Sequence, residues 1–189
     1  GLRGLFEQAA ASQSLDWRLL AAVGYQESRW SDQAISGDGA AGIMMLTAPT
    51  ARAMGVADRS NSLQNISGGA AYLAQMLQMI PARVAEPDRT WLALAAYNVG
   101  FGHLEDARIL AQAQGKDPDS WADVSQFLPW LAQERWYRQA RRGYARGWEP
   151  VRFVEQVRGF LAVLEWYGDA QSSGPTPSPL KPPWQKEIP

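Results

Sequence analysis

A mainly α-helical domain is what this sequence predicts, and three features predict it. Apolar residues return at intervals of three and four through several segments, the period of one helical face. Capping residues stand where those segments begin, and Gly or Pro where they end. Between them only one short apolar run, Ile43-Met44-Met45-Leu46, reads as a strand or hairpin edge. A hydrophobic content of 46% places the chain among ordered globular proteins, and its 189 residues suffice for one well-buried domain.

The helical character spans residues 1 to about 168. Ser14 or Asp16 caps a helix on which Trp17, Leu20, Ala21 and Gly24 follow i, i+3, i+4, i+7 spacing, with Glu27 and Ser28 one turn further on. Residues 31–41, rich in Ser, Asp and Gly, form a loop. Thr47 caps a short helix with Pro49 in its first turn, ending before Gly55. Asn61 or Ser62 opens the clearest helix, with Ile66, Ala70, Leu73, Met76, Leu77 and Ile80 on one face and Pro81 as its stop. Asp88 or Thr90 opens the next, through residues 91–97, broken at Gly100 and Gly102. A helix resumes over 103–114 and closes at Gly115; two shorter segments cover 121–128 and 129–142. The last helix opens at Glu149-Pro150 and turns Phe153, Val154, Val157, Phe160, Leu161 and Leu164 toward the core. From Ala170 the composition becomes Pro- and Ser-rich, so the expected organisation is a domain over 1–168 and a disordered tail over 169–189. The opening residues lack Met and any signal-peptide pattern, which reads as a piece of a longer parent.

Composition excludes several function classes. A net charge of −1 exerts no bulk pull toward nucleic acid or an anionic membrane. The absence of cysteine removes disulfides, thiolate metal sites and cysteine nucleophiles. His103 is the only histidine, too few for a multi-histidine metal site, so neither metal nor cofactor is expected. No stretch approaches the roughly 18 uninterrupted apolar residues of a membrane span. Nine tryptophans and six tyrosines serve a core, and also suit a groove where sugar faces stack on aromatic ones.

Glu27 draws attention because it ends the apolar run Leu19-Leu20-Ala21-Ala22-Val23-Gly24. An ionised carboxylate resists leaving water, so it either finds a cation or keeps its proton with a raised pKa. A carboxyl protonated near neutral pH is a general acid. The plainer reading of a Glu near a helix end is a solvated surface residue.

Three blocks decide between these: Glu27-Ser28, then Gly42-Ile43-Met44-Met45 after a Gly-containing loop, then Ala96-Tyr97-Asn98 ahead of Gly100. In this order and spacing they resemble the goose-type-lysozyme-like (SLT) domain of bacterial lytic transglycosylases, with its Glu-Ser, Gly-Leu-Met-Gln and Ala-Tyr-Asn blocks. The phrase Gly-Ile-Met-Met-Leu-Thr and the segment 142–160 look most like the membrane-bound lytic transglycosylase F branch. The resemblance covers about residues 12–167. It implies a lysozyme-like helical fold with a small β-hairpin or loop element after the catalytic helix. It further implies cleavage of the β-1,4 bond between N-acetylmuramic acid and N-acetylglucosamine in peptidoglycan, leaving 1,6-anhydromuramoyl ends. Glu27 matches the single acid/base of the family. Ser28, Ser36, Gly42, Met44, Tyr97, Asn98 and Glu149 match residues that line or support the glycan groove, with Tyr97 expected to orient Glu27 inside a largely apolar pocket. Met45 stands where most of the family has Gln; Thr47 and Phe153 also depart from it. The F branch implies a periplasmic location peripheral to the outer membrane and an N-terminal periplasmic-binding-protein-like partner domain. Two other readings stay open: true hydrolysis, with Asp32, Asp38 or Glu149 activating water, and an idle glycan-binding domain.

Overall fold

A computed structural model describes residues 1–172; residues 173–189, most of the expected tail, lie outside the described residues. The described chain is helical: α1 (Leu2–Ser12), α2 (Trp17–Ser28), α3 (Ala48–Ala53), α4 (Ser62–Met79), α5 (Asp88–Val99), α6 (Phe101–Ala113), α7 (Trp121–Phe127), a 3-10 turn (Leu128–Ala132), α8 (Glu134–Tyr137) and α9 (Trp148–Ser172). The helix starts follow side-chain chemistry. Asp16, rather than Ser14, accepts the Arg18 N–H at 2.8 Å, Asn61 accepts that of Gln64 at 3.0 Å, and Thr47 accepts that of Thr50 at 3.3 Å. Each such cap contributes about 1 kcal/mol.

Helix α5 is the axis of the molecule. Leu92, Ala93, Leu94, Ala95 and Ala96 are all fully buried, so this helix is apolar on every side. It packs against α4, α6 and α9, and its small alanines let those neighbours come close. Helix α2 lies between α1 and α9 and buries residues 19–24 without interruption. The ends of α2 and α5 and the start of α9 thereby meet at one side of the core, where Glu27, Tyr97-Asn98 and Glu149 are found.

Several elements differ from expectation. Gly100, at φ +92°, separates α5 from α6, but Gly102 lies inside α6. Its missing side chain makes room for the Arg142 side chain, whose Nε lies 2.6 Å from where a Cβ would stand. Residues 129–142 are not one helix, since the 3-10 turn and α8 give way to irregular chain. Helix α9 continues through Ser172, beyond the boundary expected at 168. The run Ile43-Met44-Met45-Leu46 forms no strand. It is a tight turn closed by an isolated antiparallel bridge between Ala41 and Leu46, and a second bridge, Ile35 with Ala41, closes the loop before it. Gly42 at φ +82° and Met45 at φ +47° bend the backbone out of any extended path. The element after α2 is therefore the loop rather than the hairpin.

Candidate active site

The turn at 42–46 is fixed from four directions, and that fixes the wall of a cleft. Asn65, fully buried on α4, accepts the Met44 N–H at 2.7 Å and donates to the carbonyls of Ala41 and Arg59 at 3.0 and 2.9 Å. Tyr97 donates its hydroxyl to the Met44 carbonyl at 2.9 Å. The Ser28 hydroxyl donates to the Ile43 carbonyl at 2.9 Å, with the Gly24 carbonyl 3.2 Å away. Arg59 donates to the carbonyls of Gly39 and Leu46 at 2.7 and 3.0 Å. Gly42 is required by this crowding: a Cβ there would lie 2.2 Å from the Arg59 carbonyl oxygen and 2.3 Å from the Asn65 amide nitrogen.

Below this wall opens a cleft of about 320 Å³, and Glu27 lines it together with Met45, Tyr72, Tyr97, Asn98 and Glu149. Glu27 comes from the last turn of α2, just before Arg29 ends that helix in the left-handed conformation at φ +56°. The carboxyl is half-buried, facing the cleft but otherwise surrounded by protein, and this burial raises its pKa from 4.5 to about 8. Among the described residues no hydrogen bond or ion pair to the Glu27 side chain is present to offset that desolvation. With its pKa raised to about 8 the group is mostly protonated at neutral pH, and its carboxylate is a better base than an ordinary one once the proton has been given away.

Tyr97 is buried, and burial first, then the nearby Glu27 charge, then Tyr72, push its hydroxyl well above the usual tyrosine range. Its ring tilts on Tyr72 at 5.0 Å and stacks on Phe153 at 6.3 Å. Tyr97 was expected to orient Glu27; the structure shows its proton donated to the Met44 carbonyl and no hydrogen bond between the two side chains among the described residues, although the Glu27 charge lies close enough to act on the hydroxyl. The expectation of a largely apolar pocket is also corrected. Ser36, Asp38, Thr47, Thr50 and Asn98 give the cleft a polar lining, so the proton on Glu27 is held by local burial rather than by an apolar cavity.

Of the residues expected at the site, Glu27, Ser36, Met45, Tyr97, Asn98 and Glu149 line the cleft. Ser36 accepts the Ala40 N–H at 2.9 Å and donates to Asp38, and that bond holds the exposed Asp38 carboxyl below its ordinary range. Glu149 stands in the first turn of α9, 3.4 Å from Arg146. Ser28, Gly42 and Met44 are not lining residues. The Ser28 hydroxyl is spent on backbone, Gly42 is dictated by close packing, and the Met44 side chain is fully buried. It packs on Gly69, where a Cβ would lie 2.5 Å away. Sequence reading missed Asn65 and Tyr72. Both sit on the α4 stripe 65, 69, 72, 76, and a polar residue opening an otherwise packed stripe was the available signal. Asp32, one candidate for activating water, does not line the cleft, whereas Asp38 and Glu149 do.

The helical fold that carries this site has a counterpart among solved lytic transglycosylases. The X-ray structure of an inactive mutant of lytic transglycosylase Slt from Pseudomonas aeruginosa superposes with a TM-score of 0.58 at 23% identity, covering 89% of this chain and 24% of that one. At that identity the likeness speaks for the fold, which is lysozyme-like and mainly helical as expected. The model of the family described as the transglycosylase SLT domain matches residues 4–120, and the chain belongs to that family. It is 58% identical over 161 residues to membrane-bound lytic murein transglycosylase F of Hahella chejuensis, covering 85% of this chain and 32% of that protein. To the protein of the same name from Stutzerimonas stutzeri it is 54% identical over 169 residues, covering 89% of this chain and 35% of that one. The chain spans about a third of the length of these relatives.

Proposed function

We propose that this domain cleaves the β-1,4 bond between N-acetylmuramic acid and N-acetylglucosamine in peptidoglycan without water, leaving 1,6-anhydromuramoyl ends. The observation that carries the reading is the carboxyl of Glu27, raised to about 8 by burial at the base of an open cleft. Protonated Glu27 gives its proton to the glycosidic oxygen as the C1–O bond breaks. The substrate's acetamido group stabilises the cationic C1 centre. The Glu27 carboxylate then takes the proton of the muramoyl C6 hydroxyl as that oxygen bonds to C1, and the acid is regenerated. The intramolecular hydroxyl replaces the second carboxylate of many glycosidases, because a tethered nucleophile acts at very high effective concentration. Tyr72, Tyr97 and Asn98 offer ring faces and polar groups to the glycan along the cleft.

Hydrolysis is the second reading, and it is favoured by Asp38 and Glu149 lining the same cleft as Glu27. Mass analysis of muropeptides released from purified sacculi separates the two, since the transglycosylase product is lighter than the hydrolytic one by a water. Release abolished by Glu27→Gln supports Glu27 as the acid, release unchanged by it removes Glu27 from the chemistry, and no release even by the parent chain returns the domain to an idle glycan binder. With the F-type relatives as the basis, the reading extends to a periplasmic location beside the outer membrane and to regulation by an N-terminal periplasmic-binding-protein-like domain in the parent protein. Among the described residues no helix is long and apolar enough to cross a membrane.

A further inference from the structure

A groove of about 410 Å³ lies between α2 and α9, lined by Ala22, Tyr25, Trp30, Phe160, Val163 and Leu164. None of these residues lines the cleft. Its floor is aromatic: the Tyr25 ring tilts on Trp30 at 4.8 Å and meets Phe160 edge-on at 4.5 Å. The backbone bends sharply to build it. Arg29 and Trp30 are both left-handed, at φ +56° and +62°, a conformation that L side chains resist. This bend lays Trp30 back over α2, where its indole N–H donates to the Ala21 carbonyl at 2.8 Å. The Arg29 guanidinium stands 4.6 Å from the centre of the Tyr25 ring and 5.5 Å from that of Phe160.

The groove belongs to an apolar stripe that the described fold leaves uncovered. Phe160, Val163, Leu164 and Tyr167 follow i, i+3, i+4, i+7 spacing on α9, the pattern of a face made for burial. Yet Val163, Trp166 and Tyr167 are 61%, 64% and 60% exposed. A continuous exposed apolar face of this kind marks a docking surface. Arg29 adds polar donors at its edge, since among the described residues its exposed side chain forms no ion pair.

The sequence that follows α9 has the chemistry to fill it. Prolines at 175, 177, 179, 182 and 183 favour polyproline II, and Pro179-Leu180-Lys181-Pro182 places two of them three residues apart, on one face of such a helix. Prolyl rings pack into aromatic-lined grooves, and polyproline carbonyls, which have no internal partner, accept from a donor at the groove edge, here Arg29. The reach agrees. From Val163 and from Phe160 to Ser172, where α9 ends, the helix runs roughly 14 and 18 Å. A chain reversed at Gly174 runs back roughly 12 Å by Pro179 and 22 Å by Pro182. We propose that residues 175–184 turn back along α9 and occupy this groove in the same molecule, with Pro179 and Pro182 on the rings of Tyr25, Trp30 and Phe160. The short tether presents the segment at roughly millimolar effective concentration, so weak contacts suffice. Once docked, it covers the stripe and braces the end of α2, which carries Glu27, through residues that the cleft does not use.

The chain has no cysteine, so Ser178→Cys takes a single nitroxide label on the whole protein. The readout is paramagnetic broadening of backbone amide signals. Those of Tyr25, Trp30 and Val163 should broaden strongly while those of α7 stay sharp. Replacing both prolines, Pro179→Gly with Pro182→Gly, removes two ring contacts and lowers the docked-to-free ratio about tenfold or more. The broadening at Tyr25 and Trp30 falls with it. Val163→Asp, on the exposed wall of the groove, should have the same effect without touching the prolines. Mixing labelled protein with isotope-enriched, unlabelled protein tells the occupants apart. Broadening confined to the labelled molecule supports the proposal, whereas broadening of the enriched partner makes the groove an interface between copies and overturns it. Broadening at Tyr25 and Trp30 that is absent, or is equal in the parent chain, the proline variant and Val163→Asp, overturns it as well.

Discussion

Replacing Glu27 by Gln removes an ionisation while keeping nearly the same volume, and the pH dependence of stability reads the consequence directly. The folded state holds the Glu27 proton up to about 8, whereas an unfolded chain releases it near 4.5. Between those values the folded state binds more protons, so raising the pH takes stability away. The contribution of the protonated carboxyl is complete below 4.5 and is lost as pH rises through about 8. The full displacement corresponds to roughly 5 kcal/mol as a ceiling. Water reaching the carboxyl through the open cleft reduces this to on the order of 2–3 kcal/mol. In a domain of this size that is a difference of about 5–10 °C in Tm. Thermal or urea unfolding of both proteins from pH 4 to 9.5 is the assay. The two proteins should be nearly equal at pH 4, with Glu27→Gln progressively more stable to pH 9. A difference that stays constant across the range refutes the reasoning, since it removes the desolvated carboxyl from the account.

The same ionisation governs activity: the alkaline limb of the kcat/KM profile on sacculi should fall as pH passes through about 8, and a limb near 5 would contradict the buried acid. Tyr97→Phe leaves the Met44 carbonyl without its donor, so it should cost about 1–2 kcal/mol in urea unfolding and leave that alkaline limb within a few tenths of a pH unit; a shift of a full unit would instead give Tyr97 a direct bond to Glu27. Gly42→Ala must accommodate a Cβ 2.2 Å from a backbone oxygen at a φ of +82°, and a loss of about 3 kcal/mol or more is expected by the same measurement. Met45→Gln places an amide in the cleft, at the position where the family resemblance implies one; KM for glycan strands should fall a few-fold with kcat held, and an unchanged KM would mean that residue 45 does not meet the glycan.

The helical order was legible because burial is periodic. The unbroken apolar run 91–97 in α5 and the stripe on α4 leave little alternative, and Asp16, Thr47 and Asn61 mark their helix starts by side-chain chemistry. Glu27 was legible for a related reason, since a carboxyl at the end of residues 19–24 must be either exposed or perturbed. What could not be read was the direction of hydrogen bonds. Tyr97 and Ser28 belong to the expected blocks, yet both spend their hydroxyls on the turn at 43–44, a pairing settled by how α2 and α5 approach that turn in space. Asn65 escaped notice because its three partners lie in segments with no periodic signal. Residues 138–142 were misread as helix because their order comes from Asp106, a distant side chain, and not from their own propensities.

These misread residues share a physical task. A protonated carboxyl held up to about 8 without a hydrogen-bond partner is stable only if its surroundings cannot relax toward it or admit more water. Met45 and Leu46 of the turn line the same cleft as Glu27, and an unbound peptide group there is free to turn toward a carboxylate. Asn65, Tyr97, Ser28 and Arg59 each bind one or more of those groups: the Met44 N–H and the carbonyls of Ala41, Ile43, Met44 and Leu46. With these dipoles committed to one another, they are unavailable to the carboxylate, and desolvation acts on it unopposed. Polar side chains that look like substrate ligands in the sequence therefore serve the acid indirectly, by keeping the backbone around it from answering its charge.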